Sequence, residues 1–289
     1  MTSGGGAAAG EVAAGRGDRI WRLGLLGGAL LLVAALLILV SGPALYRAGM
    51  LDLESATAGV ARTALFVVLP AALVGLVTLV ASFIGKSTRG AIVGVLVLLA
   101  ASLMGFRIYG YFVQRDGMPP VWDAQSDWAE PVAFSVRALE VRDAEGAAPV
   151  RDNAMIPPTA GKWGGKTVAQ AQAEFFDDIG PLHVNAPPAE ATVAAAHAAK
   201  TLGWHVMLSD PPNGQLEAVS RSTWYGLPAD IAVRIRPDGS GSRVDVRSTG
   251  RIPAPDLGSN ASRVKQMLDA IAFEMRAVGS SSEVEAPAS

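Results

Sequence analysis

Cysteine is absent from the 289-residue chain. Disulfides, thiolate metal sites and cysteine nucleophiles are thereby excluded, while the compartment stays open because exported domains also manage without disulfides. Histidine is scarce: His183, His197 and His205 are the only imidazoles, with no His-x-His pair or carboxylate at metal-ligand spacing. No metal and no cofactor is expected. A Gly-x-Ser-x-Gly elbow is also missing, and Gly161–Gly165, although followed by Lys166-Thr167, lacks the leading glycine of a phosphate-binding loop. Asp177 and Asp178 form an acidic pair in a loop position that needs no catalytic explanation. Enzymatic activity is therefore the third reading, behind binding and assembly.

Charge is missing from long stretches as well. Leu23–Val40 and Thr63–Ile84 contain no Lys, Arg, Asp or Glu, and Ala91–Tyr111 contains only Arg107. Each run approaches or exceeds the roughly 18 to 20 residues that cross a bilayer core, and Arg107 lies near an end, where it can snorkel to the interface. Three transmembrane helices follow. They hold no acid, His or Lys at mid-membrane, the groups that ion pathways and proton relays need, so a transporter is disfavoured. Gly24 with Gly28 and Gly90 with Gly94 stand at the four-residue spacing that lets helix backbones approach, and Pro70 is expected to kink the second helix. Arg16, Arg19 and Arg22 precede the first run, whose apolar core is too long for a cleaved signal peptide.

Residues 1–115 carry nine Lys/Arg and four Asp/Glu, and residues 116–289 carry fifteen and twenty-two, so the two parts have net charges of +5 and −7. An acidic polar part repels phosphate backbones, and nucleic acid is excluded as a partner. Lys86 and Arg89 in the second loop join the N-terminal arginines in a thin positive-inside bias. The expected topology is a multi-pass protein of the bacterial inner membrane with a cytoplasmic N-terminus and a periplasmic C-terminal domain. The expected organisation is a disordered tail over 1–19, a transmembrane region over 20–115, a Pro/Gly-rich extended segment over 116–172, an α+β domain over 173–279 and a disordered tail over 280–289. Trp122, Trp128 and Trp163 in the extended segment anchor it at lipid headgroups or pack on the domain.

A short helix, Val168–Phe176, is expected before the regular core. Within the domain, Gly180–Ala186 reads as a strand, and Pro187-Pro188 opens an Ala-rich helix that Gly203 terminates. His205–Ser209 and Gln215–Tyr225 form a hairpin across Asp210–Gly214. Ile231, Val233 and Ile235 alternate with polar neighbours, as do Val244 and Val246. Pairing Arg236 with Arg243 sets Arg234 opposite Asp245. Leu257, Ala261, Val264, Leu268, Ile271 and Met275 draw one stripe of a last helix capped by Asp256. The order β-α-β-β-β-β-α implies an antiparallel sheet with two helices on one face.

Val244-Asp-Val-Arg-Ser-Thr-Gly-Arg-Ile252 and Pro255-Asp-Leu-Gly-Ser-Asn-Ala-Ser-Arg263-Val264 resemble the signature of a bacterial and plastid family, domain of unknown function 1499, and Pro181–Glu190 resembles its strand-to-helix passage. The resemblance runs from about Pro119 to Met275. It departs at Gly250, at Ile252-Pro-Ala-Pro and at Trp122–Asp127. It implies this domain behind N-terminal membrane helices, and no activity.

Arg247, Ser248, Arg251, Asp256, Asn260 and Arg263 form one polar constellation at the strand-to-helix corner, and with Trp224 they are the candidate ligand-binding residues. Guanidinium forks there suit a carboxylate or phosphate, or else simply tie the corner together. Arg221, Arg234, Arg236 and Arg243 add a basic sheet face, expected to pair with Asp245 and Glu217. Two helices on a curved sheet can enclose an apolar cavity, expected here to be lined by Val193, Trp204, Trp224, Ile231 and Val246. The first functional reading is a non-catalytic module for a lipid-like or other small amphipathic ligand at the membrane surface. The alternative is a structural or assembly factor of the cell envelope, contacting a membrane-protein partner through its helices or through Trp122 and Trp128.

Overall fold

The computed structural model describes residues 5–252, 254 and 256–284. Its elements fall into two units, residues 1–114 and 115–289.

The first unit consists of α1 (Gly5–Arg47), a π-helical turn (Ser55–Gly59) leading into α2 (Val60–Ile84), and α3 (Thr88–Gly117). Three of its segments, Arg19–Arg47, Ser55–Ile84 and Thr88–Gly117, are long and apolar enough to cross a membrane. Their outward surface is apolar: Leu26, Leu30, Leu73, Phe83, Leu99 and Phe106 each expose more than half of their area. Hydrophobic burial cannot drive helix association in lipid, so close packing of small residues must do so. The glycines serve that packing. A Cβ on Gly94 would stand 2.6 Å from the Leu79 backbone nitrogen, and one on Gly75 would stand 2.8 Å from that of Leu98. Gly24 meets Thr78, and Gly28 meets Val97. Both expected glycine pairs thus work inside the three-helix unit. Helix α2 continues through Pro70, and α1 through Pro43.

The first helix starts at Gly5, inside the stretch expected as a disordered tail. Residues 1–4 of that tail lie outside the described residues.

The second unit holds β1 (Asp123–Gln125), α4 (Val136–Ala144), α5 (Val168–Phe175), β2 (Leu182–Val184), α6 (Pro188–Thr201), β3 (His205–Asp210), β4 (Gln215–Arg221), β5 (Pro228–Asp238), β6 (Gly241–Gly250) and α7 (Ser259–Val284). The sheet is antiparallel in the order β1-β6-β5-β4-β3, with β2 also pairing β6. The expected register holds, with Arg236 opposite Arg243 and Arg234 opposite Asp245. Gly203 takes the left-handed conformation that ends α6, with φ 74°. Alternation sends Ile231, Val233, Ile235, Val244 and Val246 toward α6 and α7, where they join Val264, Met267 and Ile271 in one buried core.

That core is filled, which corrects the expected cavity. Helix α6 presents Ala191, Ala195, Ala198 and Ala199 to it, all fully buried, and such small side chains let the helix settle directly on the sheet. Trp204, Ile231 and Val246 are core residues, whereas Val193 and Trp224 are 58% and 71% exposed.

The segment expected to be extended carries β1 and α4 and covers the opposite face of the sheet. Val132 and Phe134 pack there against Ala232. Helix α4 escaped the apolar-periodicity reading because its buried side chain is Arg142 rather than an apolar stripe. Trp163 is buried with Val121, Ile156, Val168 and Ala171, and the Trp128 indole donates to Gln172 Oε1 at 2.9 Å. Both tryptophans therefore pack on the domain. Leu257 precedes α7 instead of joining its stripe. The helix itself reaches Val284, into the expected C-terminal tail, whose residues 285–289 lie outside the described ones.

Replacing Gly94 by Val is expected to force α2 and α3 apart, because the obstructing atoms are backbone. Thermal unfolding of the full chain in detergent, followed by helical circular dichroism, should show a lower midpoint than Gly110→Val, whose Cβ meets nothing within 4 Å.

Candidate functional site

Strand β6 delivers Arg247 and Ser248 to the side covered by the 123–152 segment and to the α7 side, respectively. Arg247 is 1% exposed. Its Nε and Nη2 grip Asp123 at 3.1 and 2.5 Å, Nη1 reaches Asp152 Oδ1 at 2.7 Å and the Val132 carbonyl at 3.1 Å, and Nη2 also donates to the Arg151 carbonyl at 3.4 Å. All five guanidinium donors are engaged, leaving none for a ligand. Burial works against the Arg247 charge, but hydrogen bonds to Asp123 and Asp152 outweigh it and raise the pKa. Burial pushes the Asp123 carboxyl up, with Arg247 opposing. The Arg247 guanidinium keeps its proton at any accessible pH, and Asp152 gives it a second acidic partner.

Arg251 is likewise committed. Its Nε and Nη2 clasp Asp230, the latter at 2.6 Å, and Nη1 binds Glu145. Hydrogen bonding to Asp230 raises its pKa against opposing burial, and Glu145 adds to the effect. Arg142 binds the same Asp230 and donates to the carbonyls of Ala148 and Gly250, which fastens α4 to the sheet.

At the corner itself, Asp256 accepts from the Gly258 and Asn260 amides at 2.9 and 2.6 Å, satisfying amides at the start of α7. This carboxylate braces Leu257, whose φ of 52° is strained for a residue with a Cβ. Burial raises the Asp256 pKa, outweighing the two amides and Arg263. Asn260 is buried between Ser248, which donates to its Oδ1 at 2.7 Å, and the Trp122 carbonyl, which it reaches at 2.9 Å.

Arg263 differs. Its Nε donates to Ser220 Oγ at 3.1 Å and its Nη1 to Asn260 Oδ1 at 3.2 Å, both neutral acceptors. Among the described residues it forms no ion pair, and burial lowers its pKa with only Asp256 opposing. It faces an open cleft of about 890 Å³ between the end of α6, strands β3 and β4, and the start of α7. Ser220, Ser222, Thr223, Ser259 and Ser262 supply hydroxyl-bearing walls, and Leu202, Trp204, Met207 and Val219 supply apolar ones. A register shift between Val206 and Leu208 marks a bulge in β3 at Met207. Met207, Val141 and Val219 also line an adjoining apolar slot of about 200 Å³ beside Phe134 and Ala138 of the α4 side.

The seven candidate residues thus separate. Arg251 and Arg263 line the cleft, Arg247, Ser248 and Asn260 are internal ties, Asp256 holds the helix start, and Trp224 stands exposed on the β4–β5 turn. On the basic face, Arg234, Arg236 and Arg243 all reach Asp245, but Glu217 instead accepts from the Ser135 amide and hydroxyl. His183 meets Asp238 and His197 meets Glu274, while His205 lines the cleft. Asp178 pairs with Lys265. Sequence reasoning missed Arg142, Glu145 and Asp230; the signal was an acid at the head of a cleanly alternating strand.

The family model described as Protein of unknown function (DUF1499) matches residues 124–271, from β1 into α7 and half of the chain. The chain belongs to the DUF1499 family. No curated protein matches it. A solved structure described as "Crystal structure of Ara h 8.0201" is similar at 12% identity over 33% of this chain and 95% of that chain, with a TM-score of 0.25, too low to bear on the fold of this DUF1499 member.

Truncating Arg247 to Leu should cost about 3–5 kcal/mol, because it strands buried Asp123, read as a lower denaturation midpoint of the full chain. Asp256→Ala should cost about 1 kcal/mol through the lost cap, and Asp256→Asn less. The raised Asp256 pKa means the folded state takes the proton more readily than the unfolded one. Its penalty on folding is complete above the folded pKa and vanishes below the unfolded value of about 4. Asp256→Asn should therefore remove a rise in stability as pH falls through that window.

Proposed function

We propose that the DUF1499 domain is a non-catalytic binding module that holds a lipid-like or other small amphipathic ligand at the membrane surface. The observation that carries this reading is Arg263, a cation without an ion-pair partner among the described residues, facing a cleft that Leu202, Trp204, Met207 and Val219 also line. An anionic head would bond to the free side of the guanidinium and to the serine hydroxyls. Its apolar part would lie along Met207, Val141 and Val219 into the adjoining slot. The site is a groove at the sheet's end and not the cavity between sheet and helices.

The reading includes an inner-membrane location with a cytoplasmic N-terminus and a periplasmic domain. The three apolar helices support the membrane, and Arg16, Arg19, Arg22, Lys86 and Arg89 support the orientation. The alternative, an envelope assembly factor, draws on the filled core; in it the cleft stays empty and a protein partner makes the contacts.

Native mass spectrometry of the full chain in detergent, with lipid extraction, separates the two. An anionic amphiphile should remain on the wild type beyond loosely held lipid. Retention should fall about tenfold or more in Arg263→Gln, given roughly 1.5–3 kcal/mol for a hydrogen bond to a charged group. Equal retention by a folded Arg263→Gln would defeat the ligand reading.

A further inference from the structure

The turn between β4 and β5 presents Trp224 to solvent with 71% of its surface exposed. A floppy loop could fold such an indole away, but this turn is braced. The Ser222 amide donates to the Leu227 carbonyl at 3.0 Å, the Gly226 amide to the Ser222 carbonyl at 2.9 Å, and the Leu227 amide to Ser222 Oγ at 3.0 Å. Gly226 takes φ 68°, which closes the turn without a Cβ penalty. The backbone that presents the indole is therefore fixed.

The turn itself carries charge of one sign. Residues 218–229 contain Arg221 and no carboxylate, within a part of the chain that is net −7. Arg263, in the cleft that Arg221, Ser222 and Thr223 help to line, adds positive charge, while Arg251 and Glu145 there neutralise each other. Val193 on α6 and Phe273 on α7 are also exposed, but Glu190 flanks the first along its helix, and Asp269 and Glu274 flank the second. Trp and Tyr prefer the headgroup level of bilayers, and nearby arginines are drawn to anionic leaflets. The same chain carries three helices long and apolar enough to cross a membrane.

We infer that the β4–β5 turn is a bilayer-contact tip, with Trp224 and Tyr225 entering the headgroup region of an anionic membrane and Arg221 meeting its phosphates. The tip would bring the mouth of the cleft to the lipid surface. The inference needs no occupant in the cleft, so it and the ligand reading can fail separately.

The cysteine-free sequence permits a direct test. Trp224→Cys and Glu190→Cys, made in the full chain, each create a single thiol for a nitroxide label; residue 190 opens α6 at the opposite end of the sheet. In nanodiscs containing phosphatidylglycerol, the label at 224 should be more accessible to oxygen than to a water-soluble nickel complex, and the label at 190 the reverse. The preference at 224 should weaken in pure phosphatidylcholine. Because the label itself is apolar, brominated-lipid quenching of the unlabelled chain supplies a second measurement, and Trp224→Ser should be quenched less than the wild type, with Trp21 of the first apolar helix supplying the remainder in both. Equal nickel access at 224 and 190 together with unchanged quenching would overturn the inference. So would spin–spin broadening at 224, which would mark a second copy of the chain as the occupant.

Discussion

The soluble domain depends on the buried guanidinium of Arg247. A six-stranded sheet with helices on one face leaves its other face to be covered, and here the cover is a segment, residues 123–152, in which ten of thirty residues are charged. Arg247 compensates by binding Asp123 of β1, the carbonyls of Val132 and Arg151, and Asp152. One side chain thus fixes four points of a chain segment that apolar packing alone would hold weakly. Arg142 and Arg251 repeat the device around Asp230, one from α4 and one from the strand edge. Such pairs are costly to desolvate and strongly destabilising to break, so they give the covering segment one position rather than several.

The cleft follows from that arrangement. Alanines on α6 bring the helix down onto the sheet, and the cleft opens beyond the helix end, where Gly203 turns the chain and Trp204 leads into β3. Val141 and Glu145 of the tethered α4 segment complete one wall. Arg142, Arg247 and Arg251 each bind a carboxylate directly, whereas Arg263 bonds to neutral oxygens, feels Asp256 only through space and faces the cleft.

The membrane unit obeys the opposite rule. Many of its large apolar side chains face outward, and its interior is built mainly on Ala35, Ala61, Ala64, Ala71 and Ala101, with Val68, Ile108 and the glycines that set the helix spacing. Small residues inside and large ones outside is the pattern expected when the solvent is hydrocarbon.

Much of this was legible from residue order alone. Uninterrupted apolar runs reported the three long helices, because a helix satisfies its polar backbone groups within one segment, and about 20 continuous apolar residues are what such a segment needs to cross a bilayer. Period-two alternation and one charge pair set the β5–β6 register, since a slip by one residue would turn Ile231, Val233 and Ile235 away from the core. The DLG string marked the capped start of α7. Tertiary structure alone decided which of the polar residues at that corner are internal ties. Helix α4 was hidden because its buried face is a single arginine, and the partners of Arg247 and Arg251 lie some twenty to more than a hundred residues away. Neither hydrophobic periodicity nor local spacing records pairings at such distance. The absence of a central cavity was a matter of three dimensions too: it depends on how closely an alanine face approaches a sheet, and composition does not say where a helix comes to rest.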